Sequence, residues 1–193
     1  KIGITGGIGS GKTTVCKVFE TLGIPVFYAD TVAKEIMVKD AILIEGIKSA
    51  FGEESYVNGN LQNKHIANIV FNDEKSLAQL NALVHPAVFR AFDEWEQQIS
   101  SAVPYTLKEA ALLFESGSYK MCDKTILVTA PLQVRLNRVA NRDGVTEEQV
   151  KARMDKQFSD EQKSKMADYF IQNTSDQSII LQVLALHQQF LTL

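Results

Sequence analysis

The eight residues Gly6-Gly7-Ile8-Gly9-Ser10-Gly11-Lys12-Thr13 satisfy the spacing G-x-x-x-x-G-K-[ST] at every fixed position. Glycines let such a loop wrap so that successive backbone N–H groups point inward, and a helix starting at its end adds the positive pole of its dipole. Together these groups bind a polyphosphate. In that arrangement the Lys12 ammonium reaches the β- and γ-phosphates and the Thr13 hydroxyl ligates Mg²⁺. A nucleotide is expected here, and what happens to it is the next question.

Three arginines, Arg135, Arg138 and Arg142, stand at i, i+3 and i+7, so a helix displays them on one face. Alone, this is either a solvated basic face or a set of guanidinium groups that a closing segment brings to a transferring phosphoryl group. Asp30 stands at the end of an apolar strand. It reads as the base that accepts a hydroxyl proton during attack on the γ-phosphate, or as the N-cap of a helix from Thr31 onward. His85-Pro86 opens a helix behind Asn81, where packing or capping accounts for an isolated histidine, and His65 and His187 read as structural. A guanine-reading N-K-x-D segment is missing, since Asn141-Arg142-Asp143-Gly144 does not fit it. The strand Pro104–Lys108 ends at Glu109, a rough version of the acid that motor ATPases carry after a long apolar strand. Small-molecule kinases combine a phosphate loop, a helical acceptor-binding insert and an arginine-bearing lid. This chain has all three.

The elements that must position these groups follow from periodicity. Lys1–Thr5 reads as a strand and Lys12–Leu22 as a helix with Val15, Val18, Phe19 and Leu22 on one stripe, stopped by Gly23 and Pro25. Ile24–Tyr28 is a second strand, which completes a βαβ unit and implies a parallel sheet. From Thr31 to about Ser101 the pattern is helical: Val32–Met37, Ile42–Phe51, Lys64–Phe71, Ser76–Leu83 and Pro86–Ile99, with turns such as Asn58-Gly59-Asn60 and no strand. Pro104–Ala111 and Lys124–Thr129 read as core strands, and Tyr169–Gln172 as a last one. Helices are expected over Leu132–Ala140, Glu147–Phe158, Asp160–Met166 and Gln177–Leu191. The fold class expected is α/β: a three-layer P-loop kinase core with a parallel five-stranded sheet, a helical acceptor-binding insertion and a helical lid. The expected divisions are 1–30, 102–130 and 167–193 for the nucleotide core, 31–101 for the acceptor lobe and 131–166 for the lid. An insertion at the carboxyl ends of strands lies where ligands bind in open α/β sheets.

Composition bounds the partners. The chain has 193 residues, 45% hydrophobic, with 20 Lys+Arg against 23 Asp+Glu for a net charge of −3. Such a chain has material for one core with small lobes. Without a concentrated basic face, gripping a nucleic-acid polymer is not its expected task. Its apolar runs fall well short of the ~20 residues that span a bilayer. The opening Lys1-Ile2-Gly3-Ile4-Thr5 reads as a strand rather than a leader, and a cytoplasmic location is expected. Cys16 and Cys122 lie far apart without metal-ligand spacing and read as buried free thiols.

In order and spacing, these residues resemble the dephospho-CoA kinase family from end to end. The segment Ile4-Thr5-Gly6-Gly7-Ile8-Gly9-Ser10-Gly11-Lys12-Thr13-Thr14 is similar to the family's extended phosphate loop. Leu22-Gly23 with Ala29-Asp30 and Ala33, Val84-His85-Pro86, Leu112-Leu113-Phe114-Glu115, and the lid run Gln133 to Arg138 to Arg142-Asp143 follow in the family's order. So do Arg153, Gln157, Ala167-Asp168 and Asn173. The resemblance implies ATP-dependent phosphorylation of the ribose 3′-hydroxyl of dephospho-CoA, with Mg²⁺ accompanying ATP and with no nucleic-acid or membrane partner. By position it implies Asp30 as general base, with Lys12 and Arg138 on the transferring phosphoryl group. Gly9, Ser10, Gly11, Lys12, Thr13, Thr14 and Arg142 would serve ATP, and Thr5, Asp30 and His85 the acceptor. The chain departs from the pattern at Tyr28, where many members have Asp, at Ala111, where they have Pro, and at Phe89, where a basic residue is usual and Arg90 is adjacent. Another small-molecule P-loop kinase, or an ATP-binding regulator that transfers nothing, are the competing readings.

Overall fold

The computed structural model describes residues 1–71 and 73–192; positions 72 and 193, inside the expected acceptor lobe and core, lie outside the described residues. Two compact units emerge, one of Lys1–Tyr28 with Ile99–Leu193 and one of Ala29–Gln98.

The first unit is built on five parallel strands, β1 (Ile2–Thr5), β2 (Val26–Tyr28), β5 (Leu107–Glu109), β6 (Lys124–Thr129) and β7 (Tyr169–Gln172), in the order β2-β5-β1-β6-β7. Strand β1 pairs with β5 on one side and β6 on the other, so the chain turns in opposite directions from its centre. In open α/β sheets that reversal opens a crevice at the carboxyl edge, and residues 6–11 of the phosphate loop leave β1 at this edge. Strand β1 and the middle of β6 are buried on both faces, so they read as continuous rather than alternating runs, whereas Phe170 and Gln172 of β7 are exposed. Ile2, Ile4, Leu107, Ile126, Val128 and Ile171 meet Val15 and Phe19 of α1 (Lys12–Thr21) and Val183 and Phe190 of α9 (Ile179–Phe190) in one core. Tyr105 places its ring edge on Phe19 and Phe190 and bonds its hydroxyl to Nδ1 of His187. His187 is therefore structural, as its sequence setting implied. Asp168 fixes the β6–β7 register: its carboxylate takes both the amide and the hydroxyl of Thr125, each at 2.8 Å.

After β6 come α6 (Leu132–Asp143), α7 (Glu147–Met154) and α8 (Asp160–Ser164). Thr146 and Ser159 close capping boxes with Gln149 and Gln162, which set where α7 and α8 begin. Leu136, Val139 and Val150 form a small core of their own.

The second unit consists of α2 (Ala29–Lys39), α3 (Ala41–Phe51), α4 (Asn63–Val70) and α5 (Glu74–Gln98), with a short hairpin of β3 (Tyr56–Val57) and β4 (Asn60–Leu61). The hairpin corrects the expectation of no strand there; Asn58, at φ 50°, and Gly59 make its turn. A second correction concerns Ser76–Leu83 and Pro86–Ile99, which are one helix with Pro86 inside. Proline removes one i→i−4 bond, yet Val84, Ala87, Val88 and Phe92 bury a face on both sides of it and the helix continues. Asp40 caps α3 through the Leu43 amide at 3.0 Å and takes Arg90 of α5 at 3.0 Å, which holds its carboxyl below the usual carboxylate range. Among the described residues no helix is long and apolar enough to cross a membrane.

Candidate active site

The phosphate loop has the backbone its glycines permit. Gly9 and Gly11 sit at φ 79° and 95°, where a Cβ strains the chain, and Gly11 ends the loop as the residue before α1. A side chain at Gly11 would come within 2.2 Å of Asn173 Nδ2, and one at Gly6 within 2.3 Å of the Val128 carbonyl. The first-turn amides of α1 have no intrahelical acceptor, and Thr13 and Thr14 in that turn are exposed.

Lys12 lies over the loop. Its ammonium donates to the Gly6 carbonyl at 3.0 Å and stands 3.8 Å from a carboxylate oxygen of Glu109, which ends β5 beside β1. Both side chains are largely buried, 11% and 8% exposed, so the pair lies in a region where charges interact strongly. Thr5 is fully buried and donates its hydroxyl to the Ala111 carbonyl at 3.3 Å.

The three arginines of α6 have separate partners, which the shared helical face did not reveal. Arg138 reaches the loop: its guanidinium lies 3.4 Å from the Gly9 carbonyl and 3.4 Å from Asn173 Oδ1. Arg135 is buried and bonds Ile8 and Asp160. Arg142 pairs with Asp143, which also takes Arg153, and these partners lower the Asp143 carboxyl below its ordinary range. Lys12, Thr13, Thr14, Thr5 and Arg138 are thus gathered around the end of β1, whereas Arg142 is engaged with Asp143 in the helical segment after β6.

Asp30 and His85 belong to the helical unit. Asp30 is the second residue of α2 and exposed, so the helix begins before it and it is a first-turn acid rather than a cap for Thr31; a helix N-terminus favours its negative charge. His85 stacks on Phe89 at 6.3 Å within α5, and burial pushes its pKa below the ordinary value, so the ring is neutral near pH 7. Tyr28, where a first Asp was implied, lies opposite Glu109 in the sheet register and donates its hydroxyl to Glu20 at 3.0 Å; burial raises its pKa, which keeps it a donor.

Several groups at the site were given no role from sequence: Glu115 and Gln157 stood there only in the family's order, and Lys163 and Asp160 were not named as site residues. Lys163 of α8 is fully buried and bonds the Ala111 carbonyl at 3.1 Å and the Glu115 carboxylate at 3.1 Å; burial lowers its pKa. Glu115 also accepts from the Phe158 amide at 2.8 Å. Gln157 and Asp160 act on the loop through Ile8 and Arg135. The capping box at Ser159 was a readable signal for this segment, but nothing local marks which of its side chains turn inward.

Comparison with known proteins agrees with this geometry. The family description "Dephospho-CoA kinase" matches residues 1–178. The dephospho-CoA kinase of Salinibacter ruber is 41% identical over 174 residues, covering 89% of this chain and 87% of its own length. That of Legionella pneumophila (strain Lens) is 38% identical over 192 residues, covering 98% and 94%. Among solved structures, the dephospho-CoA kinase of Campylobacter jejuni superposes with a TM-score of 0.72 at 28% identity, covering 99% of this chain and 96% of its own. A Bacteroides thetaiotaomicron shikimate kinase, at TM-score 0.52 and 16% identity over 100% and 98% of the two chains, shares the fold. With the phosphate loop, its lysine and the whole-chain match in agreement, this chain belongs to the dephospho-CoA kinase family, ATP-dependent phosphotransferases of coenzyme A biosynthesis.

Proposed function

We propose that the chain transfers the γ-phosphate of ATP to the ribose 3′-hydroxyl of dephospho-CoA, giving coenzyme A and ADP, with Asp30 as the base. The observation that carries this reading is the complete phosphate loop with Lys12 held over it, in a chain that matches the family along most of its length. The loop amides and the α1 dipole bind the phosphates, and Lys12 and Arg138 balance charge that spreads over the transferring group. Asp30 accepts the proton of the attacking hydroxyl. His85, neutral at pH 7, contributes packing or a hydrogen bond to the acceptor rather than charge. Thr5 holds the end of β1 to Ala111, which shapes the loop's entry.

The donor set fits Mg²⁺. Among the described residues no cluster of three or more His, Cys, Asp or Glu could hold a metal ion, so an ion there would take its other ligands from phosphate oxygens and water, the usual arrangement for Mg²⁺. Thr13 and Glu109 would supply hard oxygens to such an ion at the loop, where it would provide charge neutralisation for the phosphates. A cytoplasmic setting, where ATP is supplied, belongs to the same proposal.

The test is ADP release with dephospho-CoA, AMP, CMP and shikimate as parallel acceptors. Turnover with dephospho-CoA alone is expected. Turnover with another acceptor and none with dephospho-CoA overturns the assignment, and tight ATP binding without ADP in any arm makes the chain a regulator.

A further inference from the structure

Ile8, in the middle of the phosphate loop, is held on three sides by the segment that follows β6. Its carbonyl accepts from Nε of Arg135 at 2.9 Å, its amide donates to Oε1 of Gln157 at 3.0 Å, and its side chain packs on the Leu136, Val139 and Val150 core. Arg135 gives its other arm to Asp160 at 2.8 Å in a pair whose arginine side chain is 9% exposed. The guanidinium also lies against Gly7, where an added Cβ would come within 2.0 Å of its Nη2. A planar guanidinium with fixed donors can span a carbonyl and a carboxylate at once, which an ammonium cannot do in the same pose.

Both peptide groups of Ile8 are therefore spent on side chains from the lid segment, and neither faces a ligand. We infer that Arg135 and Gln157 are positioning residues of the nucleotide site. They pin the one non-glycine residue between Gly7 and Gly9, which orients the neighbouring amides toward phosphate before ATP arrives. Asp160 holds Arg135 in that pose and offsets its charge, so Arg135 acts on the loop's shape and not as a phosphate ligand. A glycine-rich loop is otherwise conformationally free, and ordering it on binding costs affinity. The stretch Gln157–Lys163 is accordingly a fixed strut: Gln157 and Asp160 grip the loop, and Lys163 ties the same stretch to Ala111 and Glu115.

This inference rests on the ATP-binding reading of the loop and is independent of which acceptor is used. The experiment is ATP binding by titration calorimetry without acceptor, on wild type, Arg135→Met, Arg135→Lys and Gln157→Ala, alongside kcat and KM for both substrates. Kd for ATP should rise about tenfold in Arg135→Met and about threefold in Gln157→Ala, in line with losing a charged and a neutral hydrogen bond. Arg135→Lys should recover little of the loss despite keeping the charge. At saturating ATP, kcat and KM for dephospho-CoA should stay within about twofold of wild type, because the hydrogen bonds lost are the same in ground and transition states. Unchanged ATP affinity in folded Arg135→Met and Gln157→Ala overturns the inference, and so does a fall in kcat with ATP affinity intact. Should Arg135→Met fail to fold by circular dichroism, Gln157→Ala decides, since its side chain is only half-buried. A wild type that binds ATP but ignores dephospho-CoA defeats the acceptor assignment and leaves the positioning result to stand; a wild type that binds no ATP defeats both.

Discussion

Asn173, just past β7, donates its side-chain amide to the Ser10 carbonyl at 2.8 Å, while its own backbone amide bonds Thr129 at 2.8 Å. One buried side chain thus ties the far strand of the sheet to the phosphate loop, and its Oδ1 also meets Arg138. Replacing it by Ala leaves the Ser10 carbonyl short of a partner in a buried setting, a cost of about 1–3 kcal/mol. Asn173→Ala should lower the melting temperature and raise KM for ATP, and Gly11→Ala should do both more severely, since its Cβ meets Asn173 at a strained φ. Thermal melting with and without ATP reads both effects; an Asn173→Ala protein with wild-type melting and wild-type KM would contradict the tether.

Asp30→Asn separates the base from a first-turn acid. As the base, its loss should cut kcat by roughly 10²-fold or more while ATP affinity stays nearly constant. A role limited to complementing the α2 dipole predicts near-normal turnover and a small stability loss. Steady-state kinetics beside ATP titration tells the two apart.

The Lys163–Glu115 pair is almost wholly excluded from water, with side chains 0% and 13% exposed. Lys163→Met leaves a carboxylate buried beside the Phe158 amide alone, and a stability loss of about 3–5 kcal/mol is expected in chemical denaturation. The double variant Lys163→Met with Glu115→Gln should recover much of it, since the Gln side-chain oxygen still accepts from Phe158. The pH sign follows from burial. The folded lysine gives up its proton at lower pH than the unfolded one, so between those two pKa values the unfolded state binds more protons. The contribution of this group to stability therefore increases as pH rises through that window, and Lys163→Met should flatten the alkaline limb of the stability profile.

Burial pushes the Cys122 thiol up to about 11, and it pushes the fully buried Cys16 higher still, with Glu109 adding to the shift. Only a thiolate reacts readily, so neither residue should label with a thiol reagent at pH 8 in the folded protein. Both should label once guanidinium unfolds it. Fast labelling of Cys122 in native protein would contradict its surroundings.

The parts of this protein that were legible in the sequence are those set by near neighbours in the chain. The phosphate loop needs glycines where φ turns positive and a helix at its end, and both requirements are local. The apolar stripe of α1, the capping boxes at Thr146 and Ser159 and the five core strands are local as well. Pro86 misled because its cost to a helix is local while the buried face that keeps α5 continuous is not. The two-residue strands β3 and β4 are too short for any periodicity to show. Asp30 read as a base or as a cap for Thr31, and the cap reading fails because α2 starts at Ala29, a boundary that side-chain preference alone does not set.

By itself the sequence determined that Gly6–Thr13 forms a phosphate-loop motif before a helix and that the sheet is parallel, because backbone conformation and crossover geometry follow from residue type. Only the tertiary structure decided that β5, three residues long, lies between β2 and β1 and brings Glu109 to Lys12. It also decided that Arg135, Arg138 and Arg142, alike on a helical wheel, divide into a partner of Ile8, a group at the phosphate loop and an ion pair at the end of α6. A guanidinium has no preference written into its own helix; for Arg135 and Arg138 the partners are whatever the fold brings within reach, Ile8, Gly9, Asp160 and Asn173, many residues away in the chain, whereas Arg142 takes its neighbour Asp143.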